Sequence, residues 1–345
     1  MIPVGKKNIA IDGMGGDNAP EAVFRGLSQC LVPDFHYIIF GNRDVLKGYT
    51  PLLSRNISYE IRHTAAEITS DMDVLSSLRM GKDSSMGLAI KAVQAREACA
   101  VISSGNTGLY MALAKVILKM IETIDRPAIA STIPGRNGRT IFLDLGANSE
   151  CTVKNLVDFA IMGEALARSI FNKKDIKLAL LNIGTEEGKG SRLVKKTSEI
   201  LKKLFDDYVG FVEGNDLCKG NVDVIVTDGF TGNVALKTIE GVAKFIVSEL
   251  KDALNSSFLS KIGAKLALPT INSFRKKLDP RLYNGAILLG LNGVVVKSHG
   301  NSDAIGFANA VRFTINILKN NIFDRIQEQL EKSKIHYASE YCEEK

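Results

Sequence analysis

Residues 178–204 read LALLNIGTEEGKGSRLVKKTSEILKKL. LALL is an apolar strand, residues 182–191 are a glycine-rich loop and the remainder is a helical period. The same unit recurs along the chain. IAID (9–12) runs into GMGGDNAPE, ACAVIS (98–103) into SGNTG and IFLDL (141–145) into GANSE. VDVIVT (222–227) runs into DGFTGN, and GVVVK (293–297) into SHGNSD. Six strands that read as buried on both faces, each followed by a polar loop and a helix, predict an α/β fold with a mostly parallel sheet covered by helices. Ligands in such open sheets bind beyond the carboxyl ends of the strands. All six loops are therefore expected on one edge of the sheet. No internal repeat or linker divides the chain, which reads as a single domain over 1–345.

The segment 236–281 breaks the alternation. Leu236, Ile239, Ala243, Ile246, Leu250 and Ala253 are spaced as the seam of a helix packed lengthwise on other helices. SSFLSKIGAKLAL then reads as a shorter helix capped by Ser256 or Ser257, interrupted at Pro269. Phe258, Leu259, Ile262 and Leu266 share one face of it, flanked by Lys261 and Lys265. From Gly241 to Arg281 eight Lys/Arg stand against three Asp/Glu, so most of the chain's net charge of +6 sits in this segment. A helical hairpin buried against the domain or a dimer mate is one reading. A basic amphipathic segment lying on an anionic membrane, or docking an acidic protein, is the other.

Hydrophobic residues at 45% and charged residues at 24% place the 345-residue chain among globular proteins. The opening MIPVGKKNIAIDG carries no apolar core or cleavage site of a signal peptide, and the longest uncharged runs are too short to span a bilayer. A cytoplasmic protein, at most peripheral on the membrane, is expected. Cys30, Cys99, Cys151, Cys218 and Cys342 lie far apart, which argues for reduced thiols. The four histidines are equally scattered. No metal, cofactor or nucleic-acid partner is expected.

The loop 182–191 fails as a nucleotide P-loop, because Gly184 and Gly188 are one residue too close and Lys189 is followed by Gly190, not by a hydroxyl. GMGGDN fails as a dinucleotide fingerprint, because Asn18 stands where the third glycine belongs. Asn18-Ala19-Pro20-Glu21 reads instead as a helix cap. What remains is a set of helix N-termini suited to single anions. Lys189 adds a full charge, and Asn106, Asn148 and Asn233 add amide donors. Each of these has a bland reading, as a solvated lysine or a helix cap. No nucleophile elbow or activated cysteine is present. His299 suits acid–base work or simply holds its loop. Such a site fits a reaction whose nucleophile is itself an anion, such as phosphate.

IAIDGMGGDNAPE, KDSSM, ISSGNTG, RPAIASTIPG, FLDLGAN, NIGTEEGKG, TDGFTGNVALKTIEG and YNGAILLGLNG…KSHG stand in the order of one family. From about Ile9 to about Leu318 the sequence resembles the bacterial phosphate acyltransferases, which make acyl phosphate from acyl-acyl carrier protein for phospholipid synthesis. It departs from the pattern at Asn284 and Ser104, where the family often has glycine and alanine. The resemblance implies a three-layer α/β/α fold similar to isocitrate and isopropylmalate dehydrogenases and to phosphotransacetylases. It also implies a homodimer and a helical projection, 236–281, associated with dimer and membrane contacts. Implied partners are acyl-acyl carrier protein, inorganic phosphate and the downstream glycerol-phosphate acyltransferase. Lys189 and Asn233 match positions tied to the active site.

In this reading Lys189 and its loop amides hold phosphate, and Asn233 positions it or stabilises the oxyanion. Gly15, Gly16, Asp17, Asn106, Thr107, Asn148, Gly188, Gly190, Gly232 and His299 complete the candidate substrate site. Phe258, Leu259, Lys261, Ile262 and Lys265 form the membrane or carrier-protein contact. The rivals are a phosphotransacetylase-like enzyme using acyl-CoA, a nucleotide-dependent oxidoreductase and a non-catalytic membrane-surface protein.

Overall fold

The computed structural model describes residues 6–66 and 74–341; the opening MIPVG and Cys342 lie outside the described residues. The chain begins with β1 (Lys7–Asp12), α1 (Glu21–Ser28), β2 (Phe35–Gly41), α2 (Arg43–Lys47) and β3 (Tyr59–His63). It continues through α3 (Val74–Gly81), α4 (Ser85–Gln94), β4 (Ala100–Ser103) and α5 (Thr107–Leu118) to β5 (Ala128–Pro134) and β6 (Arg139–Leu143). Next come α6 (Val153–Phe171), β7 (Leu178–Leu181), α7 (Arg192–Leu204), β8 (Tyr208–Val212), β9 (Val224–Val226) and α8 (Gly229–Asn255). The series closes with α9 (Phe258–Leu266), α10 (Leu268–Leu278), β10 (Ala286–Leu289), β11 (Val294–Lys297), α11 (Ala304–Lys319) and α12 (Ile322–Tyr341).

The strands form one sheet in the order β3-β2-β1-β4-β11-β10-β5-β6-β9-β7-β8. All six expected strands are in it, and most neighbouring pairs are parallel. The sense of the sheet, however, reverses at its centre. β10 is antiparallel to both its neighbours, and β5 is antiparallel to β6. Consequently β1, β2, β3, β4, β5 and β11 run one way, and β6, β7, β8, β9 and β10 the other.

This corrects the expectation of a single loop edge. The loops after β1, β4 and β11 share one edge; those after β6, β7 and β9 share the opposite one. The cause is the tight turn between β5 and β6, where the Gly135 N–H donates to the Gly138 carbonyl at 2.7 Å. A turn that short joins only antiparallel strands.

Alternating strand residues supply two cores. Ile9 and Ile11 join Phe24, Phe159 and Phe307 of α1, α6 and α11 on one face. Ala10 joins Ile90 and Leu113 of α4 and α5 on the other, with Leu236 and Ile239 of α8 packed against them. The result is a three-layer α/β/α sandwich.

Helix α8 links the two edges. Its first amide, on Gly229, donates to the Asn148 carbonyl at 2.7 Å beside the end of β6. With 27 residues it runs about 40 Å. The seam stays half-buried through Ala243 and is exposed at Ile246, and none of residues 244–275 is buried. α9 is capped by Ser257, which accepts from the Ser260 amide at 3.0 Å. Pro269 opens α10 instead of breaking a helix, since the second helical position needs no N–H. Asn18 likewise does not cap α1, which is preceded by Pro20. Its amide donates to the Asn301 and Ser302 carbonyls at 3.1 and 3.2 Å and ties two loops together.

Two glycines of α8 separate packing from propensity. A Cβ on Gly232 would lie 1.8 Å from the Asp144 carbonyl oxygen, whereas one on Gly241 meets nothing within 4 Å. Gly232→Ala is expected to lower the unfolding free energy by about 1–3 kcal/mol or more, and Gly241→Ala to raise it by roughly 0.5–1 kcal/mol. Urea denaturation of both variants checks this; equal effects would show that α8 does not seat on Asp144 as described.

Candidate functional site

Each loop edge is organised by a buried aspartate. At the end of β1, Asp12 accepts hydrogen bonds from the Ser85 and Ser103 hydroxyls, both at 2.6 Å, and from the Met14 amide at 3.3 Å. Burial pushes its carboxyl pKa up, and these donors oppose the rise. The glycines of the loop follow from this packing. A Cβ on Gly15 would fall 2.2 Å from the Asp12 carboxylate, and Gly16 has φ +103° with its Cβ position against Ser104. At the opposite edge, Asp144 accepts from the amides of Ile129, Gly146, Ala147 and Asn148 at 2.8–3.2 Å. Here too burial raises the pKa against the pull of the donors. Losing either carboxylate would leave several buried donors unmet, at about 1–3 kcal/mol each.

Two clefts open around this frame. The first, about 1180 Å³, runs between α8, the β5–β6 hairpin and the loop after β11. Ile129, Ile133, Leu145, Leu236, Ile239 and Ala243 make much of its wall apolar, and Asn233, Lys237, Glu240 and His299 add polar groups. The second, about 1070 Å³, is lined by Asp12, Gly15, Gly16, Ser84, Ser104, Asn106 and Thr107. Asp17, Thr107, Lys297 and Gly300 border both.

The loop after β11 carries the titratable groups. Burial lowers the Lys297 pKa to about 8, while Asp12 and Asp17 pull it back up and Lys237 pushes it further down. His299 lies with Nε2 3.6 Å from a Glu240 oxygen of α8. Loss of water lowers its pKa; Glu240 opposes this, and Lys237, Lys297 and Lys244 reinforce it. The loop itself hangs on Asn284, whose amide donates to the Ser298 and Ser302 hydroxyls at 2.8 and 2.9 Å and whose oxygen accepts from the His299 amide at 3.1 Å.

The structure brings together Gly15, Gly16, Asp17, Asn106, Thr107, Asn233 and His299 around the two clefts. Lys189, Gly188 and Gly190 do not line either one. They lie in the exposed loop after β7, two strands from β6, where the Asn182 side chain binds the Lys189 carbonyl at 3.2 Å. The predicted convergence of these three with the other loops is therefore corrected: β7 runs parallel to β9 and β6 and its loop shares their edge, but it stands two strands out from β6, beyond the lining of either cleft. Asn148 and Gly232 are committed to the frame: the Asn148 amide donates to Pro127 and Asp144 at 2.7 and 2.8 Å, and Gly232 is buried against Asp144. Asn106 caps α5, accepting from Leu109 at 3.0 Å, while its residue also borders the second cleft.

The sequence reading missed Asp12, Lys237, Glu240 and Lys297. A charged residue closing an apolar strand, as in IAID and GVVVK, was the available signal for Asp12 and Lys297. Lys237 and Glu240 stand within the motif TDGFTGNVALKTIEG, but their place at the cleft depends on how α8 crosses the sheet.

A divided α/β/α sheet of this kind is the fold of a class that includes phosphotransacetylases and a dehydrogenase-like protein of known structure. The chain superimposes on a phosphotransacetylase from Streptococcus pyogenes with a TM-score of 0.58 at 18% identity, covering 94% of this chain and 96% of that one. A putative 4-hydroxythreonine-4-phosphate dehydrogenase from Salmonella typhimurium gives 0.54 at 10% identity, over 90% and 100% of the two chains. At these identities the likeness is one of fold. The family described as "Fatty acid synthesis protein" matches residues 7–325. The phosphate acyltransferase of Paramagnetospirillum magneticum is 45% identical over 94% of both chains. That of Parvibaculum lavamentivorans is 46% identical over 94% of this chain and 91% of its own. The chain belongs to the phosphate acyltransferase family.

Because His299 has a folded pKa below its ordinary value, folding favours the neutral ring. Its contribution to stability is present above about pH 6.5 and is lost as pH falls through the folded pKa. Glu240→Gln removes the one acidic neighbour that opposes the shift and is expected to lower the His299 pKa further, read from the ring resonances in an NMR titration. An unchanged or higher value would mean that the two side chains do not face one another.

Proposed function

We propose that the protein transfers a fatty acyl group from acyl-acyl carrier protein to inorganic phosphate, giving acyl phosphate for phospholipid synthesis. The observation that carries this reading is the first cleft, where an apolar groove opens onto a cluster of amide, ammonium and imidazole groups. An acyl chain lies along Ile129, Ile133, Leu236 and Ile239, with its thioester among the polar groups. Phosphate attacks the carbonyl directly, so no covalent enzyme intermediate is needed. Asn233 serves as donor to the oxyanion, a role worth about 3–4 kcal/mol for one well-placed group. Lys189 lines neither cleft but lies on the sheet edge that carries Asn233, and it adds positive charge at that edge. Alignment of the two reactants contributes up to ~7–11 kcal/mol, and the thiolate leaves readily near neutral pH.

The exposed face of α9 fits peripheral attachment to the anionic inner face of the cell membrane. Phe258, Leu259 and Leu266 are 78%, 79% and 82% exposed, with Lys261 and Lys265 beside them. Among the described residues no helix is long and apolar enough to cross a membrane. The outer side of α8, with Phe230, Val234 and Phe245 exposed, suits a second copy of the chain in a homodimer.

Release of carrier-protein thiol from long-chain acyl-acyl carrier protein, with and without phosphate, tests the reaction. Phosphate-dependent release is expected, absent with acyl-CoA as donor and reduced about a hundredfold or more by Asn233→Ala. Loss of activity in Lys189→Ala would give that residue its part, and equal use of acyl-CoA would favour the phosphotransacetylase-like alternative. For the membrane contact, Leu259→Ser is expected to abolish co-sedimentation with anionic vesicles and leave turnover of soluble donor within twofold. Unchanged sedimentation would remove α9 from the contact.

A further inference from the structure

Lys297 is the one group that stands in the wall of both clefts as a full positive charge. It closes β11, is only 7% exposed, and its ammonium donates to the adjacent Ser298 carbonyl. Among the described residues it forms no ion pair. A buried lysine is normally paired, because an ammonium taken out of water without a counter-charge is costly. The nearby acids do not fill that place. Asp12 is engaged with Ser85, Ser103 and Met14, and Asp17 is exposed, with its amide on the Gly300 carbonyl at 2.8 Å.

The second cleft supplies further donors next to this charge. The 12-residue helix α5 opens into it, with Asn106, Thr107 and Gly108 at its first turn. The first amides of a helix have no partner within it and carry the positive end of its dipole. Ser104, just before this turn, also borders the cleft, is 4% exposed and has a buried hydroxyl with no hydrogen-bond partner. The Asp12 carboxylate lies close to the Gly105 position at this turn, but it is engaged by the Ser85 and Ser103 hydroxyls.

We infer that Lys297, the Ser104 hydroxyl and the first-turn amides of α5 form the seat of the inorganic phosphate, at the border between the polar cleft and the apolar groove. The assignment rests on the acyl-to-phosphate reading above and gives a catalytic part to Lys297, the residue that opens the KSHG motif. In the step, one oxygen of hydrogen phosphate attacks the thioester carbonyl and forms the C–O bond of acyl phosphate. The C–S bond breaks, its electron pair leaves with sulfur, and the proton of the phosphate passes to the thiolate to give free carrier-protein thiol. The ammonium offsets the charge of the dianion without taking part in bond changes.

Thiol release is measured against phosphate and against long-chain acyl-acyl carrier protein for wild type, Lys297→Met, Lys297→Arg and Ser104→Ala. Lys297→Met is expected to raise KM for phosphate at least tenfold with KM for the acyl donor within twofold. Lys297→Arg should recover part of the loss, and Ser104→Ala should raise KM for phosphate severalfold. An unchanged phosphate KM in Lys297→Met, or an equal rise in both KM values, would overturn the seat. Absence of phosphate-dependent release in wild type would instead overturn the acyl-transfer reading beneath it.

A measurement on wild type alone covers variants that fold poorly. Sulfate keeps its charge between pH 7 and 9, so its competition with phosphate reports the site. The charged groups acting on the ammonium are Asp12, Asp17 and Lys237, with His299 feeling its charge in turn, and the lysine itself is the group shifted to about 8. Sulfate inhibition is expected to weaken at least fivefold from pH 7 to 9 as Lys297 loses its proton. Inhibition that stays constant over that range would count against the assignment.

Discussion

The reversal of strand sense at β10 and the β5–β6 hairpin is the constraint on which the rest of the molecule depends. Without it, one parallel sheet would carry every glycine-rich loop on one edge. With it, the chain has two loop edges facing opposite ways, and something must bridge them. That bridge is α8, which starts against Asp144 at one edge and presents Lys237 and Glu240 to the loop after β11 at the other. The apolar groove lies in the space between this helix and the hairpin.

The same physical device holds each edge. Asp12 and Asp144 sit at the ends of buried strands and gather hydroxyls or amides around a carboxylate taken out of water. Each therefore sits where a glycine approaches too closely for any side chain, Gly15 in the loop beside Asp12 and Gly232 in the first turn of α8 beside Asp144. Lys297 is the contrasting case. It too ends a buried strand, but among the described residues it forms no ion pair, with Asp12 and Asp17 acting on it only at a distance. A frame whose carboxylates are satisfied and whose ammonium is not is arranged for an anion that arrives from outside.

Much of this was legible in the sequence. The six apolar strands, the α/β/α class and the helical character of 236–281 follow from periodicity, because a strand buried on both faces and a helix with one apolar face leave different patterns. Gly15, Gly16, Thr107, Asn233 and His299 were found because small residues and amide side chains after a strand are where ligands are met. Lys189 drew attention by the same logic, yet its loop lines neither cleft. Spacing along the chain says that a loop follows a strand and does not say where across the sheet that strand stands.

The sequence by itself determined the local units, since strand, glycine loop and helix are decided by neighbours a few residues apart. It also determined the family, through motifs that run nearly the whole chain. The tertiary structure alone decided which loops meet, because direction in a sheet is set by pairing between segments such as β5 and β6 or β10 and β11. It alone decided that Lys297 is a buried, unpaired cation and Asn148 a structural one-purpose amide. Burial and pairing are properties of the assembled sheet, and the residues that impose them lie far apart in the chain, as Lys7 does from the Leu318 carbonyl it donates to.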